Sequence, residues 1–322
     1  MLSVEPDRVV AALDVNPDDP LLAQQTGLTD AKFNLAWQEL PSPKPDGSGV
    51  TVAVLDTGAQ ADHEDLLGQV LQGADLVTGT TTSPQGPTNY GRVDLNGHGT
   101  HVSGIVAAVD NTVGGLVGAP GARILPVRVL NSCGSGDMSN VAKGIEWAVD
   151  NGAEVVSMSL GGPCLSPPNA ALDLAIDYAE TNNVVVVAAA GNDANATPVC
   201  PGNAGSTPGA TVLSVGATTS APFARAPFSS FGPSVDLGAP GVQILSTYPA
   251  SLSGGPYKRE TGTSMAAPFV SAAAALVLRH CPGAPPARVR QIITTAAGPP
   301  IAGSGFGSGQ LNADAAVTAS CI

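Results

Sequence analysis

Short apolar runs alternate with amphipathic segments along most of the chain. Runs rich in β-branched residues predict buried strands at 50–55, 124–130, 155–158, 184–189 and 212–215. Between them, segments 99–109, 139–151 and 170–182 carry apolar residues at spacings of three and four, which predicts helices. Strands that alternate with helices indicate right-handed parallel crossovers, so we expect an α/β fold in which helices flank a mostly parallel sheet.

Nothing in the pattern divides the chain into separate domains. The 322 residues, 43% of them hydrophobic, can build one large core. The polar segment 78–92 is expected to be a surface loop. The longest apolar segment, 266–278, contains Pro268 and Ser271 and is too short to span a bilayer, so it predicts a buried helix. Pro268 falls early in that helix, where a missing backbone N–H costs little.

Acidic residues outnumber basic ones by 26 to 13, which gives a net charge of −13. A charge of this sign argues against nucleic acid or an anionic membrane surface as a partner.

Three short segments carry candidate chemistry: Asp56-Thr57-Gly58 after the first predicted strand, His98-Gly99-Thr100-His101, and Gly262-Thr263-Ser264-Met265-Ala266-Ala267-Pro268. Taken singly, Asp56 is typical of a turn, His98 of a structural histidine and Ser264 of a helix cap. Together they supply a carboxylate, an imidazole and a hydroxyl, the three groups of an activated serine nucleophile. The order Asp, His, Ser differs from that of chymotrypsin-like enzymes and α/β-hydrolases.

With this order and these flanking residues, the chain resembles the subtilisin-like serine proteases, the subtilases, from about residue 16 to residue 312. The resemblance implies the three-layer fold of that family and a secreted serine endopeptidase. In it, Ser264 attacks, His98 transfers the proton and Asp56 orients His98. Asn192, which follows Ala188-Ala189-Ala190-Gly191, resembles the asparagine that stabilises the oxyanion in subtilases.

Substrate-binding residues follow from the same resemblance. Two segments look like those between which subtilases hold a peptide as an added strand, and their members are Gly134, Ser135, Gly136, Ser159, Leu160, Gly161 and Gly162. Ala190 and Gly191 are expected to wall the first specificity pocket. The small side chains there imply a broad preference for apolar P1 residues in protein or peptide substrates.

A structural calcium ion is implied as well. The segment 109–115 has the spacing of the subtilase calcium loop, and the expected ligands are the side chains of Asp19, Asp65 and Asn111 and the carbonyls of Val109, Val113 and Gly115. The alternative is that each Asp is a solvated turn residue. A zinc site of the metalloprotease kind is excluded at His98 and His101, because no Glu lies between them.

Five cysteines allow 15 schemes with two disulfides and one free thiol. In a subtilase the loops carrying Cys164 and Cys200 would both lie near the cleft, which favours their pairing. A bond from Cys281 to Cys321 would fasten the chain end and leave Cys133 free. Five reduced, buried thiols in a reducing compartment remain the alternative.

Residues 1–15 are expected to be a prodomain remnant or N-terminal extension, and residues 16–322 the catalytic domain. Residues 3–7 resemble the tail of a subtilase prodomain, so an inhibitory prodomain is an expected partner of an otherwise monomeric enzyme. The N-terminus lacks a signal-peptide pattern. Two other functions stay open: a processing protease or peptide ligase of the same fold, and a binding protein without catalysis.

Overall fold

A computed structural model describes residues 19–39, 46–77, 91–115, 118–164, 170–204 and 212–321. The predicted N-terminal piece 1–15 and nearly all of the predicted loop 78–92 lie outside these residues.

Seven strands form a central sheet in the order β2-β3-β1-β4-β5-β6-β7, and every neighbouring pair is parallel. They are β1 Thr51–Asp56, β2 Ala74–Asp75, β3 Arg123–Arg128, β4 Val155–Met158, β5 Val185–Ala189, β6 Leu213–Thr218 and β7 Leu237–Pro240. A separate antiparallel hairpin pairs β8 Ile244–Thr247 with β9 Tyr257–Glu260. All five strands predicted from the sequence are present, and each end differs by three residues at most.

The helices in the described residues are α1 Thr26–Asp30, α2 Phe33–Glu39, α3 His98–Ala107, α4 Met138–Asp150, α5 Ala170–Thr181, α6 Ala250–Ser253, α7 Thr263–His280, α8 Pro286–Ala296 and α9 Ala313–Val317. The helices predicted at 99–109, 139–151 and 170–182 are therefore present as α3, α4 and α5, and the buried helix predicted at 266–278 lies within α7. In the described part of the chain, none of the helices combines the length and apolarity needed to cross a membrane.

Both faces of the sheet are buried, and strand β1 shows why. Its side chains point alternately to opposite faces. Val52 and Val54 join a core that includes helices α3 and α7, whereas Ala53 and Leu55 join a core that includes α4 and α5. Such strands read as continuous apolar runs, which is how they were predicted. The result is the expected three-layer α/β fold.

Helix α7 is the central helix of one layer. Residues 265–278 are all buried, and they contact β4, β5 and β6. A helix that is apolar on every side belongs in the interior. Its N-terminus faces the edge of the sheet where Asp56 ends β1, Ser159 follows β4 and Asn192 follows β5. Parallel strands bring their carboxyl ends to one edge, which is where ligands bind in such sheets.

Candidate active site

Asp56 and His98 form a direct pair. Asp56 is fully buried at the end of β1, and His98 is the first residue of α3. The Nδ1 atom of His98 lies 2.8 Å from Oδ1 and 3.0 Å from Oδ2 of Asp56. Gly97, just before the histidine, has a φ of 100°, and a Cβ there would overlap the ring of Tyr248. Glycine is therefore required at the turn that presents His98.

Asp94 holds that turn in place. Its buried carboxylate accepts hydrogen bonds from the Thr57 hydroxyl at 2.9 Å, the Gly97 amide at 2.8 Å and the Thr100 hydroxyl at 2.7 Å. Thr57 directly follows Asp56, so Asp94 joins the segments that carry the two members of the pair. The sequence offered no signal for this role, because its hydrogen-bond partners are visible only in three dimensions.

The charged form of His98 is stabilised by its surroundings. Burial by itself lowers the pKa of His98, but the adjacent carboxylate of Asp56 outweighs it and raises the pKa to about 9. About a quarter of the side chain, 23%, remains exposed. In its neutral form, the imidazole can accept a proton from a group in the cleft while Asp56 holds its other nitrogen.

Ser264 is the second residue of α7 and lies in the same cleft as His98. Its hydroxyl donates to the carbonyl of Ser159 at 3.1 Å. For Ser264 to act as a nucleophile, this hydroxyl must turn towards His98. The helix N-terminus favours negative charge beside it, since its first amides have no partner within the helix.

Although Pro268 lies early in helix α7, its missing N–H removes a backbone hydrogen bond of the helix. It is the sixth residue of α7, so the N–H it lacks would have bonded to the carbonyl of Ser264. The hydroxyl of Ser159 donates to that carbonyl instead, at 2.7 Å.

Asn192 is held by Thr263, the residue before Ser264. The Asn192 Oδ1 atom accepts from the Thr263 amide at 2.8 Å and from its hydroxyl at 3.0 Å. The same hydroxyl accepts from the amide of Gly191 at 3.2 Å. Because Oδ1 is held in this way, the Nδ2 group of Asn192 remains available as a donor. It lies beside Gly262, since a Cβ added to that glycine would be 3.4 Å from Nδ2. Asn192 is exposed, whereas Thr263 is fully buried.

A cleft of about 470 Å³ contains Ser264, His98 and both predicted peptide-binding segments. Its lining includes Gly134, Ser135, Gly136, Ser159, Leu160, Gly161 and Gly162, and the apolar side chains of Leu130, Met138 and Val141. Ala190 and Gly191 are not among the lining residues. Ala190 is fully buried and packs with Val235 and Phe306.

One wall of the cleft is tied to the loop that follows Asn192. Gly162 and Cys200 exchange two backbone hydrogen bonds of 3.0 Å, and a disulfide joins Cys164 to Cys200. A second disulfide joins Cys281 to Cys321, and Cys133 is exposed and unbonded. Both expected pairings are therefore present.

The expected cation ligands Asp19 and Asp65 are both buried. Burial, together with the nearby carboxylates of Asp110 and Asp65, raises the pKa of Asp19 to about 6. Burial also raises the pKa of Asp65. Two carboxylates in a buried place need a positive partner if both are to be ionised.

The loop at 109–115 surrounds Asp65. The Asp65 Oδ2 atom accepts from the Gly115 amide at 3.0 Å, and its main-chain carbonyl accepts from the Val109 amide at 3.0 Å. Asn111 Oδ1 accepts from the Val113 amide, also at 3.0 Å. The Leu21 amide donates to the Gly114 carbonyl at 2.7 Å, which brings the segment that carries Asp19 to this loop.

Four buried oxygens here have no hydrogen-bond partner among the described residues: Asp19 Oδ1, Asp19 Oδ2, Asp65 Oδ1 and Gln25 Oε1. Gln25 was not predicted from the sequence. Its Oε1 lies 2.5 Å from where a Cβ on Gly115 would stand, so it reaches the same loop. Carboxylate and amide oxygens without partners are what a calcium ion requires, so these residues fit the expected ion.

Comparison with known proteins agrees with this geometry. The sequence profile of Peptidase S8, the subtilase family, matches residues 47–309. The chain is 42% identical to subtilisin DY of Bacillus licheniformis, over 84% of this chain and 91% of that protein. It is 39% identical to thermitase of Thermoactinomyces vulgaris, over 94% and 99% respectively. A solved protease structure from Pseudoalteromonas arctica superposes with a TM-score of 0.79 at 33% identity, covering 94% of this chain and 98% of that one.

Proposed function

Because this chain belongs to the subtilase family and is a serine endopeptidase, we propose that Asp56, His98 and Ser264 are its catalytic triad and that Asn192 completes the oxyanion site. The observation that carries this proposal is that His98, whose Nδ1 atom is held by Asp56, lines the cleft that contains Ser264.

The reaction begins with a peptide lying as an added strand between Gly134–Gly136 and Ser159–Gly162. Ser264 Oγ attacks the carbonyl carbon of the bond to be cleaved, and its proton passes to His98. Asp56 accepts the hydrogen bond from Nδ1 and stabilises the imidazolium.

Negative charge then develops on the carbonyl oxygen. The Nδ2 donor of Asn192 and the backbone amide of Ser264 stabilise it. The imidazolium returns its proton to the leaving amine, which departs and leaves an acyl-enzyme. Water attacks the acyl group by the same steps, with His98 again taking a proton, and frees Ser264.

Recognition through the peptide main chain gives broad sequence tolerance, and we propose a preference for apolar P1 residues. The apolar lining by Leu130, Met138, Val141 and Leu160 supports an apolar substrate. The enzyme is proposed to be secreted, which its two disulfides support, because such bonds persist in oxidising compartments. The relatives include a protein named extracellular protease from Xanthomonas campestris.

We also propose that a calcium ion binds at Asp19, Gln25, Asp65 and Asn111 and at carbonyls of the 109–115 loop. The four unpartnered buried oxygens support it. When bound, calcium supplies positive charge that balances the carboxylates and stabilises the folded chain.

The test of the catalytic proposal is reaction with a serine-directed fluorophosphonate, read by intact mass. Wild type should gain one adduct, and Ser264→Ala and His98→Ala none. Ser139→Ala is a matched control, since Ser139 is also the second residue of a helix, α4, but is exposed. Labelling of Ser264→Ala would refute the assignment of the nucleophile. A competing amine in the peptide assay then separates a hydrolase from a ligase by the products.

A further inference from the structure

Tyr257 of β9 reaches a proposed calcium ligand. Its hydroxyl lies 2.8 Å from Glu64 Oε1 and 3.0 Å from Asp65 Oδ2, and its one proton is shared between the two carboxylates. The Oδ2 atom of Asp65 also accepts from the Gly115 amide at 3.0 Å. Oδ2 is therefore committed to the protein, while Oδ1 of the same carboxylate is buried and has no hydrogen-bond partner in the described residues. Tyr257 thus helps to decide which oxygen of Asp65 remains for a cation.

The 109–115 loop packs directly against the hydroxyl of Tyr257. Gly114 has a φ of 59°, and a Cβ there would overlap the hydroxyl of Tyr257. On the other side, the rings of His63 and Tyr257 meet edge to face at 5.4 Å. His63 accepts from the Asp65 amide at 3.1 Å and donates to the Pro256 carbonyl at 2.6 Å. The segment that carries Asp65 is therefore joined to the start of β9 by both side chains and main chain.

The β8–β9 hairpin also contacts the N-terminal half of the cation site. Gln25, with its unpartnered Oε1, donates through Nε2 to the Leu245 carbonyl of β8 at 3.4 Å. Arg259 of β9 donates to the carbonyl of Gln24 at 3.1 Å. One hairpin thus touches the segments that supply Gln25 and Asp65.

The same hairpin leads into the catalytic helix. Strand β9 ends at Glu260, and Ser264 follows four residues later. Between them, the Gly262 amide donates to the Gly241 carbonyl at 2.9 Å. A change in the position of β9 would therefore also move residues 261–263, which precede Ser264.

We propose that Tyr257 is a positioning residue that orients the Asp65 carboxylate for the cation and links occupancy of that site to strand β9. The inference rests on the calcium site proposed above. Partners that hold a metal ligand from outside the coordination shell commonly change metal affinity ten- to 100-fold when removed. Because such coupling is reciprocal, calcium should in turn order β9.

The first test measures calcium affinity by competition with a chromogenic chelator, on enzyme whose serine is blocked by a sulfonyl fluoride. Tyr257→Phe removes only the hydroxyl and keeps the ring contact with His63. We expect its calcium affinity to fall about ten- to 100-fold. Tyr178→Phe is the matched control, because this exposed tyrosine of α5 also donates to a carboxylate, that of Asp150 at the end of α4, at 2.7 Å. It should bind calcium as wild type does.

The second test measures amide hydrogen exchange of residues 257–263 with calcium and with chelator. Calcium should slow exchange there in wild type, and less so in Tyr257→Phe. Exchange that is slowed at 109–115 but unchanged at 257–263 in wild type would overturn the link without any variant having to fold. Equal calcium affinity of wild type and Tyr257→Phe would overturn the positioning role. If wild type itself bound no calcium, the cation site would be refuted along with this inference, while the fluorophosphonate result for the triad would stand.

Discussion

Ser159 and Ser264 exchange two hydrogen bonds. The hydroxyl of Ser159 donates to the carbonyl of Ser264 at 2.7 Å, and the hydroxyl of Ser264 donates to the carbonyl of Ser159 at 3.1 Å. The first bond replaces the helical one that Pro268 cannot make. Ser159, the residue that follows β4, thereby holds the cleft wall and the proposed nucleophile Ser264 together.

Ser159→Ala should lower the stability of the enzyme by about 1 kcal/mol, because the Ser264 carbonyl loses a partly buried hydrogen bond. Pro268→Ala restores a backbone N–H at the position that can bond to that carbonyl. In the Pro268→Ala background, Ser159→Ala should therefore cost less. A double-mutant cycle in urea, on serine-blocked enzyme, measures the difference. Additive costs would contradict the proposed replacement of one hydrogen bond by the other.

Thr263 should matter for turnover although it does not touch substrate. Thr263→Val removes the hydroxyl that fixes Asn192 Oδ1 and accepts from Gly191, while the Thr263 amide still holds Asn192. Loss of one such bond is worth about 1 kcal/mol, so we expect kcat to fall roughly five- to tenfold with little change in KM. Thr263→Ser keeps the hydroxyl and should retain most activity. Similar losses in both variants would point to packing instead of hydrogen bonding.

How far the sequence predicts this molecule depends on the distance over which each signal acts. Strands β1 and β3 to β6 are buried on both faces, so their apolar runs identified them. Strand β7, Leu237–Pro240, is only four residues with a Gly and a Pro, and the β8–β9 hairpin carries Lys258 and Glu260; neither has such a run.

The residues of the candidate site also differ in whether a local sequence pattern could identify them. Asp56, His98 and Ser264 lie in contiguous motifs that the resemblance could match. Gln25 and Tyr257 acquire their roles from partners far along the chain, in one case 192 residues away, and no local pattern encodes such contacts. The roles of Asp94 and Thr263 likewise depend on the angles at which turns and helix ends present them.

Activity should rise with pH to an unusually alkaline midpoint. The general base must be neutral, and the Asp56 carboxylate, overcoming the effect of burial, raises the pKa of His98 from 6.5 to about 9. We expect kcat/KM on an uncharged peptide to be half-maximal near that pH. Asp56→Asn should lower the midpoint and reduce kcat by about 10⁴. A wild-type midpoint near 6.5 would show that Asp56 does not stabilise the imidazolium in this way.

The Cys164–Cys200 disulfide should affect both stability and substrate binding. It closes a separation of 36 residues, so replacing both cysteines with serine should cost about 3–4 kcal/mol. KM should also rise, because the bond fastens the wall at Gly162. The matched control replaces Cys281 and Cys321, which are 40 residues apart at the chain end, and should lower stability without changing KM. If KM stayed at the wild-type value in both variants, the backbone hydrogen bonds between Gly162 and Cys200 would be sufficient to hold the wall.

His101 should make the enzyme sensitive to acid. Its Nε2 donates to the carbonyls of Ile244 and Lys258 at 3.0 Å each, and its Nδ1 is buried with no hydrogen-bond partner in the described residues. A second N–H would have no acceptor there, and burial lowers the pKa of His101 from 6.5 to about 4. The unfolded chain therefore binds a proton at higher pH than the folded one does, so stability is lost as pH falls from 6.5 towards 4.

As pH falls from 6.5 towards 4, the free energy of unfolding should decrease by something on the order of 3 kcal/mol because of His101. His101→Asn keeps a donor for the carbonyls but cannot titrate, so its unfolding free energy should depend less on pH across that range. Urea unfolding of serine-blocked wild type and His101→Asn at each pH measures the difference. Parallel curves for wild type and His101→Asn would assign the acid sensitivity to other groups, since only a buried, neutral imidazole at position 101 makes the difference between them depend on pH.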